Sequence, residues 1–300
     1  MLKVAFDEAF IHPLPAGHRF PMEKYDLLPK QLIHEGTIEA HQLFSPAFCA
    51  YEDLNTVHDA LYLQQLFDLK ISPREQRKTG FVHSSSLIER ESRIMEGTRK
   101  CAEFALSHGA AMNIAGGTHH AYSNRGEGFC LMNDQAIAAK WLLKNKRTTQ
   151  VLIIDLDVHQ GNGTAQVFAN TPEVFTFSMH GKNNYPLKKE MSDCDVELED
   201  GIGDTAYLKL LERHLSETLE RFCPTFIFFQ SGVDVLETDK LGRLGLSIEG
   251  CKKRDQFVFK KVKELGVPVV CSMGGGYSPD IRQIIEAHAN TFREAQNFLF

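Results

Sequence analysis

The sequence predicts an α/β fold, a three-layer sandwich with a central, mostly parallel sheet, built as one domain over residues 1–300. Two observations predict it. Short apolar runs alternate with longer helical patterns, as β-α units require. The runs are also nearly free of polar residues, as strands covered by helices on both faces are.

In chain order the strand-like runs fall at 2–6, 111–115, 151–156, 174–179, 226–230 and 267–272. Helical periodicity appears around Trp141 and over 204–222, 248–265 and 280–298. Residues 7–85 are less regular and richer in proline, so they are assigned to helices and rim loops rather than to a separate domain. With 43% hydrophobic and 24% charged residues, the 300-residue chain has a globular composition and enough apolar mass for a sizeable core.

Charge and cysteine usage narrow the function classes. A net charge of −6 argues against a surface that grips nucleic acid by phosphate neutralisation. The only compact basic clusters are Lys144, Lys146 and Arg147, and Arg74 with Arg77 and Lys78, both short enough to be solvated cations. Seven cysteines without a C-x-x-C pair suit reduced thiols. Acidic residues interrupt the N-terminal stretch where a signal peptide is apolar, and no run reaches the ~18 apolar residues of a membrane span. The expectation is a cytoplasmic protein.

Five loops that follow or lie near these runs carry chemistry. The run at 151–156 leads into Asp155-Leu156-Asp157-Val158-His159-Gln160-Gly161-Asn162-Gly163. Alternate residues of an extended chain share a face, which groups Asp155, Asp157 and His159. A transition-metal site, a magnesium site and solvated acids all fit that stretch alone; the histidine favours zinc or iron. Gly116-Gly117-Thr118-His119-His120 places adjacent imidazoles on a glycine turn, suited to acid–base chemistry or to an ordinary surface loop. Gly128-Phe129-Cys130 precedes a helix, with Phe129 either a slot wall or a core side chain and Cys130 read as packing. Gln230-Ser231-Gly232-Val233-Asp234 ends another apolar run in a carboxylate, a helix cap or a third metal ligand. Met273-Gly274-Gly275-Gly276-Tyr277 offers a flexible turn that can carry a tyrosine over a pocket or simply at the surface.

Taken in order, Gly-Gly-Thr-His-His, Gly-Phe-Cys-x-x-Asn-Asp, Asp-Leu-Asp-Val-His-Gln-Gly-Asn-Gly, Ser-Gly-Val-Asp and Gly-Gly-Gly-Tyr resemble the histone deacetylase family over residues 10–290. The form of the third motif and the short chain are most similar to the class IV branch and related small deacetylase-like proteins. The early stretch Gly17-His18-Arg19-Phe20-Pro21-Met22-Glu23-Lys24-Tyr25 fits as well.

The resemblance implies an arginase/deacetylase-like fold and a hydrolase that removes an acyl group from an acylated amine. It implies one Zn²⁺ per chain, held by Asp157, His159 and Asp234. His120 would be the general base, His119 the electrostatic partner, and Tyr277 the oxyanion donor. Asp155 would orient His119, and Asn162 stands where some relatives carry an aspartate behind the second histidine. A neutral amide there implies that His120 has the lower pKa of the two. Asp155 and Ser178 are the implied neighbours of a structural monovalent cation, K⁺. Gly128, Phe129 and Gly275 would line the substrate channel. Tyr185 is the best substitute for the opposite wall, where the family's Phe-Pro is replaced by His180-Gly181-Lys182-Asn183-Asn184-Tyr185-Pro186. The family's rim aspartate has no counterpart near residues 84–86.

The implied partner is an acylated lysine in a protein or peptide, or an acylated small amine such as an acetylpolyamine; oligomeric state is not encoded in these motifs. Two other readings remain beside it. One is a two-metal manganese hydrolase of arginase or phosphatase type, and the other is a non-catalytic acyl-lysine binding module.

Overall fold

A computed structural model describes residues 1–300. Its elements in chain order are β1 (Lys3–Ala5), α1 (Lys24–His34), β2 (Leu43–Phe44), α2 (Tyr51–Leu54), α3 (Ala60–Phe67), α4 (Pro73–Thr79), α5 (Ser85–His108) and β3 (Ala110–Asn113). They continue with α6 (Asp134–Lys144), β4 (Val151–Asp155), α7 (Asn162–Phe168), β5 (Val174–Gly181), β6 (Cys194–Leu198), α8 (Asp204–Arg221), β7 (Phe226–Gln230), α9 (Ile248–Leu265), β8 (Val269–Ser272) and α10 (Ile281–Leu299).

The eight strands form one sheet in the order β2-β1-β3-β8-β7-β4-β5-β6, and every pairing is parallel. All residues of β3, β4, β7 and β8 are buried, which requires cover on both faces. Helices α5 and α6 pack together as one cover, while α9 packs with α8 and α10, and α10 with α1, as the other. The expected three-layer sandwich is therefore present, with a sheet that is wholly rather than mostly parallel.

Local chemistry explains where the helices begin and end. Ser84 and Ser247 accept backbone hydrogen bonds at the N-termini of α5 and α9, and Asn133 does the same for α6. Gly80 and Gly266 close α4 and α9 in the left-handed region, where a side chain would be strained.

The region 7–85 supplies α1 to α4 and the two-residue edge strand β2, in line with the expectation of helices and rim loops. Two elements lie outside the sequence reading. α5 spans 24 residues, but its buried face includes Arg90, Glu91 and Ser92, which interrupt the apolar stripe. β6 is a half-exposed edge strand with Asp195 and Glu197 on its outer face, so it lacks the apolar run of the central strands. No helix is long and apolar enough to cross a membrane. All seven cysteines are free.

Candidate active site

Ligands of open parallel sheets gather beyond the carboxyl ends of the strands. Here β3, β8, β7 and β4 are neighbours in the sheet, and the loops leaving all four converge. β4 stops at Asp155, so Asp157 and His159 lie on the loop just past it rather than on one extended face. Asp234 arrives from the loop after β7. Asp157, His159 and Asp234 are buried, and their potential ligand atoms all lie within 4.8 Å of one another.

Backbone groups fix these carboxylates. Gly275 N donates to Asp157 Oδ2 at 2.8 Å, and Val158 N donates to Asp234 Oδ1 at 2.9 Å. A side chain at Gly275 would collide with Asp234 Oδ2, so glycine is required for this approach. His159 Nδ1 stands 3.1 Å from Asp157 Oδ1 and 3.0 Å from Asp234 Oδ2. Burial, and then the charge of Asp157, push the Asp234 carboxyl up to about 7. Two buried carboxylates that resist carrying negative charge together, with an imidazole beside them, make a donor set that fits a divalent cation.

The two imidazoles of the His119–His120 turn have different supports. His119 Nδ1 is 2.6 Å from Asp155 Oδ2, whereas His120 Nδ1 is 2.6 Å from Asn162 Oδ1. Burial pulls the His119 imidazolium down, but the charges of Asp155 and Asp157 outweigh it and raise the group to about 9. For His120, burial and the neighbouring His119 and His159 all act downward, and the group titrates well below the ordinary imidazole range. Of the two imidazoles, His120 is therefore the weaker base.

The Asn162 amide has only one sensible orientation. Its Nδ2 donates to Glu127 Oε1 at 2.7 Å and to the Tyr122 hydroxyl at 3.1 Å. Glu127 can only accept, so Oδ1 faces His120 and must receive a proton from Nδ1. That leaves His120 Nε2 unprotonated and open to the cavity.

Tyr277 follows the glycine turn after β8. Asp239 Oδ2 accepts from its backbone N at 2.5 Å, and Lys24 Nζ donates to Gly274 O at 3.0 Å, so the turn is held from both sides. Burial and the charges of Asp234 and Asp157 push the Tyr277 hydroxyl well above its ordinary range, which keeps it a donor. The Tyr277 ring lies 5.8 Å from Phe129 and 6.1 Å from Phe20.

A narrow slot of about 40 Å³ runs between these rings to His120 and Asp157, with Gly128, Phe129 and Gly275 in its wall. Phe129 has a positive φ of 65°, a strained state for a bulky residue, held by bonds from Gly128 N to Lys78 O and from Phe129 N to Thr79 O. A Cβ at Gly128 would meet the His120 ring. Tyr185, expected as the opposite wall, does not line this slot; its ring stands edge-on to His120 at 5.0 Å and 6.5 Å from His159. Asp155 and Ser178 are register partners on β4 and β5, with Ser178 Oγ 2.9 Å from His180 Nδ1.

A sequence model of the histone deacetylase domain matches residues 18–292. The chain belongs to the histone deacetylase family. Among its relatives, Histone deacetylase 2 of Arabidopsis thaliana is 30% identical, with 89% of this chain and 72% of that protein aligned. An uncharacterised protein of a Picosynechococcus strain is 38% identical over 98% of both chains. The crystal structure of a deacetylase homologue from Aquifex aeolicus superposes with a TM-score of 0.85 at 24% identity, covering 99% of this chain and 84% of that one. A homologue complexed with SAHA matches equally well, at 25% identity and a TM-score of 0.85 over the same shares. The protein is thus a deacetylase-family hydrolase with that family's α/β fold.

At this candidate site, several supporting residues have no signal of their own in the sequence. Glu127 sits immediately before the Gly-Phe-Cys motif, and only the fold shows that it reaches Asn162. Asp134, the last residue of the Gly-Phe-Cys-x-x-Asn-Asp motif, accepts from Thr118 N and Oγ1 at 2.8 Å each and thereby pins the histidine turn. Lys24 is fully buried, and burial lowers it to about 8 against the pull of Asp234 and Asp157. Its place in the early motif was the only available signal, since a buried lysine has no periodic signature.

Proposed function

We propose that the protein is a zinc-dependent deacylase that hydrolyses the amide of an acylated lysine. The observation that carries this reading is the buried Asp157–His159–Asp234 group, with ligand atoms within 4.8 Å, beside two histidines supported differently. A zinc ion bound there would supply Lewis acidity toward the amide carbonyl and lower the pKa of a water to about 7.

The chain's own residues do the rest. Phe20, Phe129 and Tyr277, which line the slot, enclose an extended aliphatic stem and exclude water around the amide. His120, with Nδ1 committed to Asn162, presents a bare Nε2 that takes the proton of the attacking water. His119, oriented by Asp155, gives electrostatic support to the negative charge that develops and relays a proton to the departing amine. The Tyr277 hydroxyl donates to the oxyanion. General acid–base assistance of this kind is worth roughly 10² to 10⁴ in rate, and one oxyanion donor about 3–4 kcal/mol. Asp155 and Ser178, as register partners, are the proposed neighbours of a K⁺ ion that would stiffen the β4–β5 edge of the site.

The test is hydrolysis of a fluorogenic acyl-lysine peptide by metal-loaded protein. Activity should vanish on removal of the metal with a chelator and return with zinc. Tight binding of the acyl-lysine peptide without turnover, in the metal-loaded state, would instead make the site a recognition module.

A further inference from the structure

A second cavity, of about 450 Å³, lies on the outer side of the acyl slot and shares its Gly128–Phe129 wall. Its other lining includes His18, Arg19, Arg77 and Lys78, and none of its eight lining residues is acidic. Two distant segments meet there. Arg19 comes from the loop before α1, and Arg77 and Lys78 from the last turn of α4.

The cations are tied to the channel wall through the backbone. Gly128 N donates to Lys78 O at 2.9 Å, and Phe129 N to Thr79 O at 3.1 Å. His18 Nε2 lies 2.9 Å from Gly80 O, and the His18 ring stacks on Phe81 at 5.6 Å, which anchors the segment carrying Arg19. Lys78 pairs with Glu75 at 3.0 Å, but Arg19 and Arg77 have no carboxylate within 4.0 Å. The negative end of a helix accounts for cations in the last turn of α4. It does not account for Arg19, nor for the lack of acids around a cavity on a chain whose net charge is −6.

We propose that this cavity receives an anionic side chain of the substrate, an Asp or Glu within two residues of the acylated lysine. The inference rests on the acyl-lysine reading above. With the acyl-lysine stem in the slot, its backbone lies at the mouth beside Phe129. An extended chain advances about 3.3–3.6 Å per residue, so a carboxylate one or two residues away reaches the cavity. Planar guanidinium groups are suited to a carboxylate. A basic tail, or a polyamine carrying further ammonium groups, meets like charge at the same place and is disfavoured.

The experiment compares three peptides that carry the same acyl-lysine flanked on both sides by Glu, by Gln or by Lys. With metal-loaded enzyme at low ionic strength, kcat/KM should fall in the order Glu, Gln, Lys. Two or three exposed charge contacts give an overall spread of roughly tenfold. About 1 M salt shortens the screening length to about 3 Å and should collapse the spread, with the Gln peptide as internal reference. The double variant Arg19→Glu/Arg77→Glu should invert the order while kcat on the Gln peptide stays unchanged. Equal kcat/KM for all three peptides, or an order that survives charge reversal, overturns the inference and leaves the deacylase reading intact. Failure to hydrolyse any of the three removes both.

Discussion

The side-chain amide of Asn162 bridges two groups, with Oδ1 2.6 Å from His120 Nδ1 and Nδ2 donating to Glu127 Oε1 at 2.7 Å. A carboxylate therefore stands one amide away from the proposed base instead of touching it. The arrangement fixes the tautomer of His120 without placing a full negative charge against its ring.

Replacing Asn162 with Asp should shift catalysis in a defined direction. A carboxylate beside Nδ1 favours the imidazolium, so the pKa of His120 rises and the acid limb of the kcat/KM–pH profile moves to higher pH. Each unit of that shift lowers the rate on the acid side about tenfold. The new carboxylate also faces Glu127, so Asn162→Asp should lose on the order of 1–3 kcal/mol of stability. Adding Glu127→Gln should restore most of that stability, because the amide can donate where the glutamate could not. The checks are pH–rate profiles and urea unfolding of both variants. An unmoved acid limb, or equal stability of the single and double variants, contradicts the arrangement.

Tyr277→Phe should lower kcat by about 10² to 10³ while leaving metal content as in the parent protein. The turn that carries Tyr277 is held through its backbone by Asp239 and through Gly274 by Lys24, so loss of the hydroxyl alone does not release it. Steady-state kinetics with metal analysis on the same sample separates the two effects. Near-parental kcat with metal retained rules out the hydroxyl as the oxyanion donor.

Arg254 ties the ends of β4 and β7 together beneath the site. Its guanidinium donates to Gly232 O at 2.6 Å, Leu156 O at 3.2 Å and Ser231 O at 3.3 Å, and it pairs with Asp255 at 2.8 Å, all fully buried. Arg254→Met leaves Asp255 charged and unpaired in the interior, which costs about 3–5 kcal/mol. Denaturant unfolding should show that loss. Arg254→Met with Asp255→Asn should recover part of it, since the stranded charge is then gone.

The central strands were legible because both of their faces are buried and their runs are almost wholly apolar, as in 226–230, whose bounds match β7. The edge strand β6 and the long helix α5 were not, because partial exposure of one and the buried Arg90–Glu91 ion pair of the other break the periodic signal. At the site, His119, His120, Asp157, His159 and Asp234 stand out as candidates because each lies in a loop that follows a strand-like run. The residues that aim them do not, because their partners lie far away in the chain. Glu127 is 35 positions from Asn162, and Lys24 is 250 from Gly274. Tyr185 reaches His120 from a loop whose sequence departs from the family pattern, so only the folded geometry places its ring.

The direct test of the whole site is the metal content of the purified protein, measured beside Asp234→Ala and His159→Ala variants whose folding is verified by circular dichroism. One zinc per parental chain and almost none in either variant is the expected result. A stoichiometry of two ions, or an Asp234→Ala protein that keeps its metal, contradicts a single ion held by Asp157, His159 and Asp234.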